Sequence, residues 1–118
     1  MEKLTQQEEE AMQAIWKTGE GSIKSFMAEM SAPGPYTTLA STVKNLEKKG
    51  FVTSRLIGNV NVYTPALTEE AYKQTFMGNV VKDYFENSYK ALVSFFVEKN
   101  EISADELKDI IRLIEKKK

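Results

Sequence analysis

Apolar positions recur at helical spacing through the first third of the chain, alternate over a short middle stretch, and return to helical spacing up to the end. Thr5 and Glu8 stand three residues apart, which makes a capping box, and Met12, Ile15 and Trp16 then share one side of a helix. Glutamates 8 to 10 suit the positive N-terminal end of that helix, and Thr18-Gly19-Glu20-Gly21 ends it. Ser22 is the expected cap of a second helix, in which Ile23, Phe26, Met27 and Met30 follow the i, i+3, i+4, i+7 pattern. The methionines lie on the same stripe as Ile23 and Phe26, so they read as core rather than as ligands. Ala32-Pro33-Gly34-Pro35 cannot continue a helix and fixes how the chain enters the next one.

That third helix, from Tyr36 to Gly50, organises the rest. At 100° per residue, Leu39, Val43 and Leu46 fall in one narrow arc that can seat against a core. Thr37, Ser41, Lys44 and Lys48 fall on the opposite side, flanked by Ala40 and Asn45. Short hydrogen-bonding side chains near the start and ammonium groups near the end suit a helix that enters a DNA major groove. The small residues let its backbone approach base edges, and the lysines meet phosphates. A merely solvated outer face is the competing reading. Lys48-Lys49-Gly50 ends the helix with cations at its negative pole and glycine at C′.

Phe51–Ile57 and Val60–Thr64 read as two short strands joined at Gly58-Asn59, with glycine at the first central position of a tight hairpin turn. Three helices followed by a hairpin give a winged helix-turn-helix over residues 1–67. Residues 68–118 are helical again. Tyr72, Phe76, Val80 and Tyr84 repeat at i+4 with Val81 and Phe85 beside them, and Gly78 is the weak point of this helix. Asn87-Ser88 marks a boundary before Tyr89, Leu92, Val93, Phe96 and Val97. Ser103 and Glu106 form a second capping box ahead of Leu107, Ile110, Ile111 and Ile114. Three short helices carry more large apolar side chains here than they can bury alone, which points to self-association. Packing against the N-terminal half is the alternative. The expected fold is mainly α with a small β-hairpin, a winged helix-turn-helix followed by a three-helix dimerisation domain.

Charge sharpens this picture. The 118 residues carry a net charge of −1, yet residues 37–63 hold Lys44, Lys48, Lys49 and Arg55 against Glu47 alone, a local balance of +3. Positive charge is concentrated where the groove helix is expected, although the patch is thin. Cysteine and histidine are absent, which removes disulfides, thiolate chemistry and the commonest general base and metal ligand. No catalytic motif is recognisable, so no enzyme, cofactor, metal site or small-molecule ligand is expected. No apolar run approaches the roughly 20 residues that span a membrane. The N-terminus lacks the apolar stretch of a signal peptide, so a cytoplasmic protein is expected.

The sequence resembles the penicillinase repressors of the BlaI/MecI type. The resemblance rests on Glu9 to Trp16 in the first helix, on Thr38 to Val52 with its Lys-Lys-Gly-Phe ending, and on Tyr63-Thr64-Pro65. It continues through Leu92 to Lys99 and Ile102 to Leu107. It implies a homodimeric repressor that binds an inverted-repeat operator on double-stranded DNA before resistance genes and is inactivated by proteolysis signalled from a membrane sensor metalloprotease. DNA contacts are expected from Thr37, Thr38, Ser41, Lys44, Asn45, Lys48, Arg55, Gly58 and Asn59. The dimer interface is expected on Tyr89, Leu92, Val93, Phe96, Leu107, Ile110, Ile111 and Ile114. The family often has basic residues at the positions of Thr37 and Ala40. Its best-known members are cut at Asn-Phe in the second C-terminal helix, where this chain has Phe95 and Phe96. The cysteine-rich tail of copper-responsive relatives is lacking, which argues against a copper sensor. A winged helix that binds protein rather than DNA is the alternative reading.

Overall fold

The computed structural model describes residues 3–117. In them the chain forms α1 (Gln6–Thr18), α2 (Ile23–Ala28), α3 (Tyr36–Lys48), β1 (Val52–Ile57), β2 (Val60–Pro65), α4 (Glu69–Phe85), α5 (Tyr89–Glu98) and α6 (Ala104–Lys116). It is a winged helix-turn-helix followed by three helices, mainly α with one antiparallel hairpin.

Local chemistry sets the helix ends. Thr5 and Glu8 close a reciprocal capping box on α1, and Ser103 and Glu106 do the same on α6. The Ser22 hydroxyl accepts from the Ser25 amide at the start of α2. This helix is shorter than its apolar spacing predicts. Glu29 and Met30 donate to the carbonyls of Phe26 and Met27, three residues back, so the last turn tightens and Met30 lies beyond the helix. Pro33 disfavours helical geometry in the residue before it and prevents continuation. α3 ends in a Schellman motif: the Phe51 amide reaches the Leu46 carbonyl at 2.9 Å and the Gly50 amide reaches Glu47 at 3.0 Å, with Gly50 at φ +85°.

Leu39, Val43 and Leu46 are buried with Met12 and Ile15 of α1, Ile23 and Phe26 of α2, and Phe51, Val52 and Tyr63 of the hairpin. Each fully buried aliphatic side chain contributes about 1.5–3 kcal/mol, so this cluster decides how α3 is rotated. Gly21 and Tyr63 exchange backbone hydrogen bonds at 3.0 and 2.8 Å, pinning the α1–α2 connection to β2. A Cβ on Gly21 would meet the Ser25 Oγ at 2.3 Å and the Phe26 ring at 3.1 Å, so a larger residue there would have to displace the Ser25 hydroxyl. The Trp16 indole donates to the Leu67 carbonyl at 3.0 Å, and its ring and that of Phe51 pack on Tyr72. Burial, then the adjacent Glu9 carboxylate, holds the Tyr72 phenol above its ordinary range.

Two compact units result, one running to Thr75 and the other starting at Phe76. The sequence pattern changes at Thr68, but the units divide later, inside α4, where Tyr72 belongs to the N-terminal core. α4 runs unbroken through Gly78. Of its expected i+4 stripe, Phe76 and Tyr84 are exposed and Val80 is half-buried, and Val81 is the one buried residue of the second unit among those described. Left-handed Glu86 and Asn87 turn the chain before the Ser88 cap of α5.

One buried charge pair ties the start of α1 to the end of α3. Glu8 is 4% exposed, and the Lys49 ammonium donates to its Oε1 at 2.7 Å. Burial pushes the Glu8 carboxyl up, but the hydrogen bonds from Lys49 and from Thr5 outweigh it and leave the group below its ordinary 4.5. The unfolded chain therefore takes up this proton first as pH falls. The stabilisation is complete above 4.5 and is lost as pH drops through the lower folded value. Glu8→Gln is expected to cost about 1–3 kcal/mol at neutral pH. In urea melts it should also flatten the acid limb of stability against pH; an unchanged acid limb would place the pair outside the folding energetics.

Candidate nucleic-acid interface

Because Leu39, Val43 and Leu46 are buried, the opposite face of α3 has no choice but to be outside. Thr37, Thr38, Ser41, Lys44, Asn45 and Lys48 are all exposed along it. Thr42 departs from this pattern. It is buried, and its hydroxyl donates back to the Thr38 carbonyl at 3.0 Å, which satisfies it within the helix. Pro35 stands at the N-cap and gives no side-chain bond, so the first-turn amides of α3 keep their donors free of a cap. Their positive pole and the small side chains occupy one end of the face, and the ammonium groups of Lys44 and Lys48 occupy the middle and the far end.

The positive patch is thinner than the residue count implies. Lys49 is turned into the Glu8 pair and also donates to the Lys3 carbonyl at 3.3 Å. The Arg55 guanidinium is bonded to Glu20, in the α1–α2 connection. Glu47 accepts from the Ser54 hydroxyl at 2.5 Å, which fastens the base of β1 to the last turn of α3. Lys44 and Lys48 are therefore the cations of α3 that face outward without a described acidic partner. Neither the Glu8–Lys49 pair nor the Glu20–Arg55 pair was legible in the sequence, since 41 and 35 residues separate their members.

The wing stands beside this face. Ile57 pairs with Val60 across a two-residue turn, and Gly58 has φ +62° while Asn59 stays on the ordinary side. Only the first central residue needs the left-handed region, the arrangement that glycine-first hairpin turns use. Gly58 and Asn59 are exposed at the tip, as are Leu56, Ile57, Val60 and Asn61. The aliphatic tip was not singled out from the sequence. The signal lay in the stretch Leu56 to Val62, which contains no charged residue.

In the second unit, α5 and α6 contain no buried residue. Leu92 and Leu107 are half-buried, and Tyr89, Val93, Phe96, Ile110, Ile111 and Ile114 are exposed. Phe95 packs edge-on against Phe85 at 5.7 Å and against Phe96 at 5.4 Å, with the Lys99 ammonium 5.6 Å from its ring. The Phe95–Phe96 peptide lies inside α5, near its C-terminal end. No helix among the described residues is long and apolar enough to cross a membrane.

These features agree with what the chain is similar to. The penicillinase repressor of Bacillus licheniformis is 24% identical over 118 residues, covering 98% of this chain and 92% of that one. The methicillin resistance regulatory protein MecI of Staphylococcus aureus strain N315 is 24% identical over 117 residues, covering 98% and 95%. Among solved structures, Bordetella bronchiseptica BpsR, whose DNA binding is regulated by 6-hydroxynicotinic acid, matches 98% of this chain and 76% of its own. That likeness has 15% identity and a TM-score of 0.49, too slight to carry an argument. The family model described as penicillinase repressor matches residues 4–116. With nearly the whole chain matched, and with helices, wing and apolar C-terminal helices in the expected order, the chain belongs to the penicillinase repressor family of transcriptional regulators.

Proposed function

We propose that the chain is a cytoplasmic, homodimeric transcriptional repressor that binds an inverted-repeat operator through α3 and the wing, and that proteolysis signalled by a membrane sensor metalloprotease releases it. One observation carries the DNA-binding part: the division of α3 into a buried aliphatic arc and an exposed arc of Thr37, Thr38, Ser41, Lys44, Asn45 and Lys48. Thr37, Thr38 and Ser41 meet base edges or nearby phosphates, where short side chains allow close approach, and Lys44 and Lys48 meet phosphates further along. Gly58 and Asn59 bring the wing backbone against the duplex. Arg55 joins them by exchanging the Glu20 carboxylate for a phosphate, the same charge chemistry with a different acceptor. Control of resistance genes is proposed from the names of the matched relatives.

Homodimerisation is supported by what α5 and α6 leave uncovered. Ile110, Ile111, Leu113 and Ile114 are between 43% and 61% exposed, on a helix with no buried residue. A soluble monomer does not ordinarily leave such a surface in water, and a two-fold partner with the same stripe covers it. Two α3 helices must then lie about 34 Å apart to read half-sites one turn apart. With so few free cations on each α3, useful affinity depends on both subunits binding together. Cleavage at Phe95–Phe96 would cut this assembly in the middle. The Phe95 and Phe96 carbonyls accept from Lys99 and Glu101 at 3.2 and 2.9 Å, so the end of α5 must open locally before a protease can hold it extended.

Three measurements test the reading, each on a duplex that the full chain selects from a random-sequence pool. Lys44→Ala should weaken binding about equally on all sequences and reduce the slope of log affinity against log salt by about one. Binding that ignores salt from the outset would favour a protein-binding winged helix instead. Glu20→Gln should free Arg55 and tighten binding by about two- to fivefold at low salt, the range of one exposed ion pair; equal or weaker binding would remove Arg55 from the interface. Ile110→Asp would place an unpaired charge in the covered stripe at a cost of several kcal/mol. It should sediment as a monomer and lose operator binding, while fluorescence of Trp16, the sole tryptophan, still reports a folded N-terminal core. A monomer that binds as tightly as wild type would overturn the dimer account.

A further inference from the structure

Beside the start of α4, and wholly within the first unit, lies an open cleft of about 360 Å³ lined by Trp16, Pro65, Ala66, Leu67, Thr68 and Glu69. That volume is in the range that takes a small organic molecule. The Trp16 indole is half-buried and fixed in two ways: its N–H is spent on the Leu67 carbonyl at 3.0 Å, and the Tyr72 ring packs on it at 5.4 Å. With its one donor used, the indole has its π surface left to offer an occupant. Pro65, Ala66 and Leu67 add an apolar wall. The Ala66 amide is bonded to the Phe51 carbonyl at 2.8 Å, and the Thr68 hydroxyl accepts from the Ala71 amide at 3.1 Å. Glu69 is different. Its side chain is exposed and bonded to no described residue, and among the described residues no lysine or arginine lines the cleft. A larger cleft, of about 400 Å³, lies between α1 and the α2–α3 connection, but its charges answer one another. There Lys17 pairs with Glu29 at 3.3 Å, and Glu10 accepts from Gln6 at 3.4 Å.

We propose that the Trp16–Glu69 cleft binds a small organic ammonium ion: the cation lies against the Trp16 indole within reach of the Glu69 carboxylate, and its alkyl groups rest on Pro65, Ala66 and Leu67. An aromatic face, an aliphatic wall and one uncompensated carboxylate are the groups with which proteins hold such cations. An anion would meet Glu69, with Glu70 next to it in the first turn of α4, where the two carboxylates offset the positive pole of the helix. The lining comes from α1, the end of β2 and the start of α4, so the site exists only in the folded unit, and a ligand held there stabilises that unit by mass action. None of these residues belongs to the proposed DNA or dimer surfaces, so the inference stands or falls independently of them.

Three probes of one shape and different charge test it: choline, its neutral isostere neohexyl alcohol with carbon in place of nitrogen, and the tert-butylacetate anion. Each is titrated into the full chain at low salt while Trp16 emission is followed. Trp16 is the sole tryptophan, so a change in emission reports this cleft and not the exposed apolar helices. Choline should saturate the signal and bind about tenfold more tightly than the alcohol, the scale of a cation on an aromatic face, with the anion weakest. Glu69→Gln should weaken choline about two- to fivefold, the range of one exposed ion pair, and leave the alcohol unchanged. Glu70→Gln, a neighbouring carboxylate outside the lining, should leave choline binding as it is. Melts without ligand check that both variants fold, and choline should raise the melting temperature of wild type more than that of Glu69→Gln. If choline leaves the emission unchanged, if the three probes bind alike or the anion binds best, or if Glu69→Gln keeps full affinity or Glu70→Gln loses as much, the cleft is not a cation site.

Discussion

The seat of α3 is the constraint on which the rest depends. Leu39, Val43 and Leu46 occupy less than half of the helix surface, and their burial against Met12, Ile15 and Phe26 leaves one rotation of α3 about its axis. Every proposed contact of α3 with DNA follows from that rotation. The Schellman turn at Gly50 and the Glu8–Lys49 pair then hold the end of the helix, the one by backbone geometry and the other by buried charge. Rotating α3 to present another face would expose its aliphatic arc and leave Glu8 buried without its cation, and both cost free energy. The outer face is therefore preorganised, and its recognition chemistry need not be strong to be specific.

Its electrostatics are restrained. Of the four basic residues between positions 37 and 63, Lys49 is engaged in holding the fold together and Arg55 is held by Glu20. What remains is a short row, Lys44 and Lys48, beside hydroxyl and amide side chains. Such a surface has a small non-specific attraction for DNA, and a small attraction helps a repressor that must leave unrelated sequence quickly. In the proposed dimer, affinity would then depend on avidity and so on the apolar helices of the second unit.

The second unit is incomplete by itself in a definite sense. Val81 is its one buried residue among those described, and α6 has a whole stripe of isoleucine and leucine in water. Helices of ten and thirteen residues draw little stability from propensity alone and need packing on an apolar face. Phe95 packs on Phe85 and Phe96 and receives the Lys99 cation, so the proposed cleavage point coincides with an aromatic contact between α4 and α5. In the proposed function, assembly, operator affinity and release would all bear on these apolar helices, with Phe96 common to the proposed interface and the proposed cleavage point.

The sequence determined what short-range chemistry governs. Capping boxes, the glycine at C′ of α3, the hairpin turn at Gly58 and the buried arc of Leu39, Val43 and Leu46 all follow from residues within a turn or two of one another, and each stands where the spacing placed it. The outward placement of Thr37, Ser41, Lys44 and Lys48 follows from the same periodicity. Only the tertiary structure decided which charges were free, because Glu8 with Lys49 and Glu20 with Arg55 are brought together by the packing of α1 on α3 and the wing, across most of a domain of chain. It also decided that α2 stops before Met30, that Gly21 pairs with Tyr63, and that of the i+4 stripe in α4 Tyr72 is buried while Phe76 and Tyr84 are exposed. Periodicity states which residues share a face. What that face meets, and which ionic partner lies across from it, depends on the path of the whole chain.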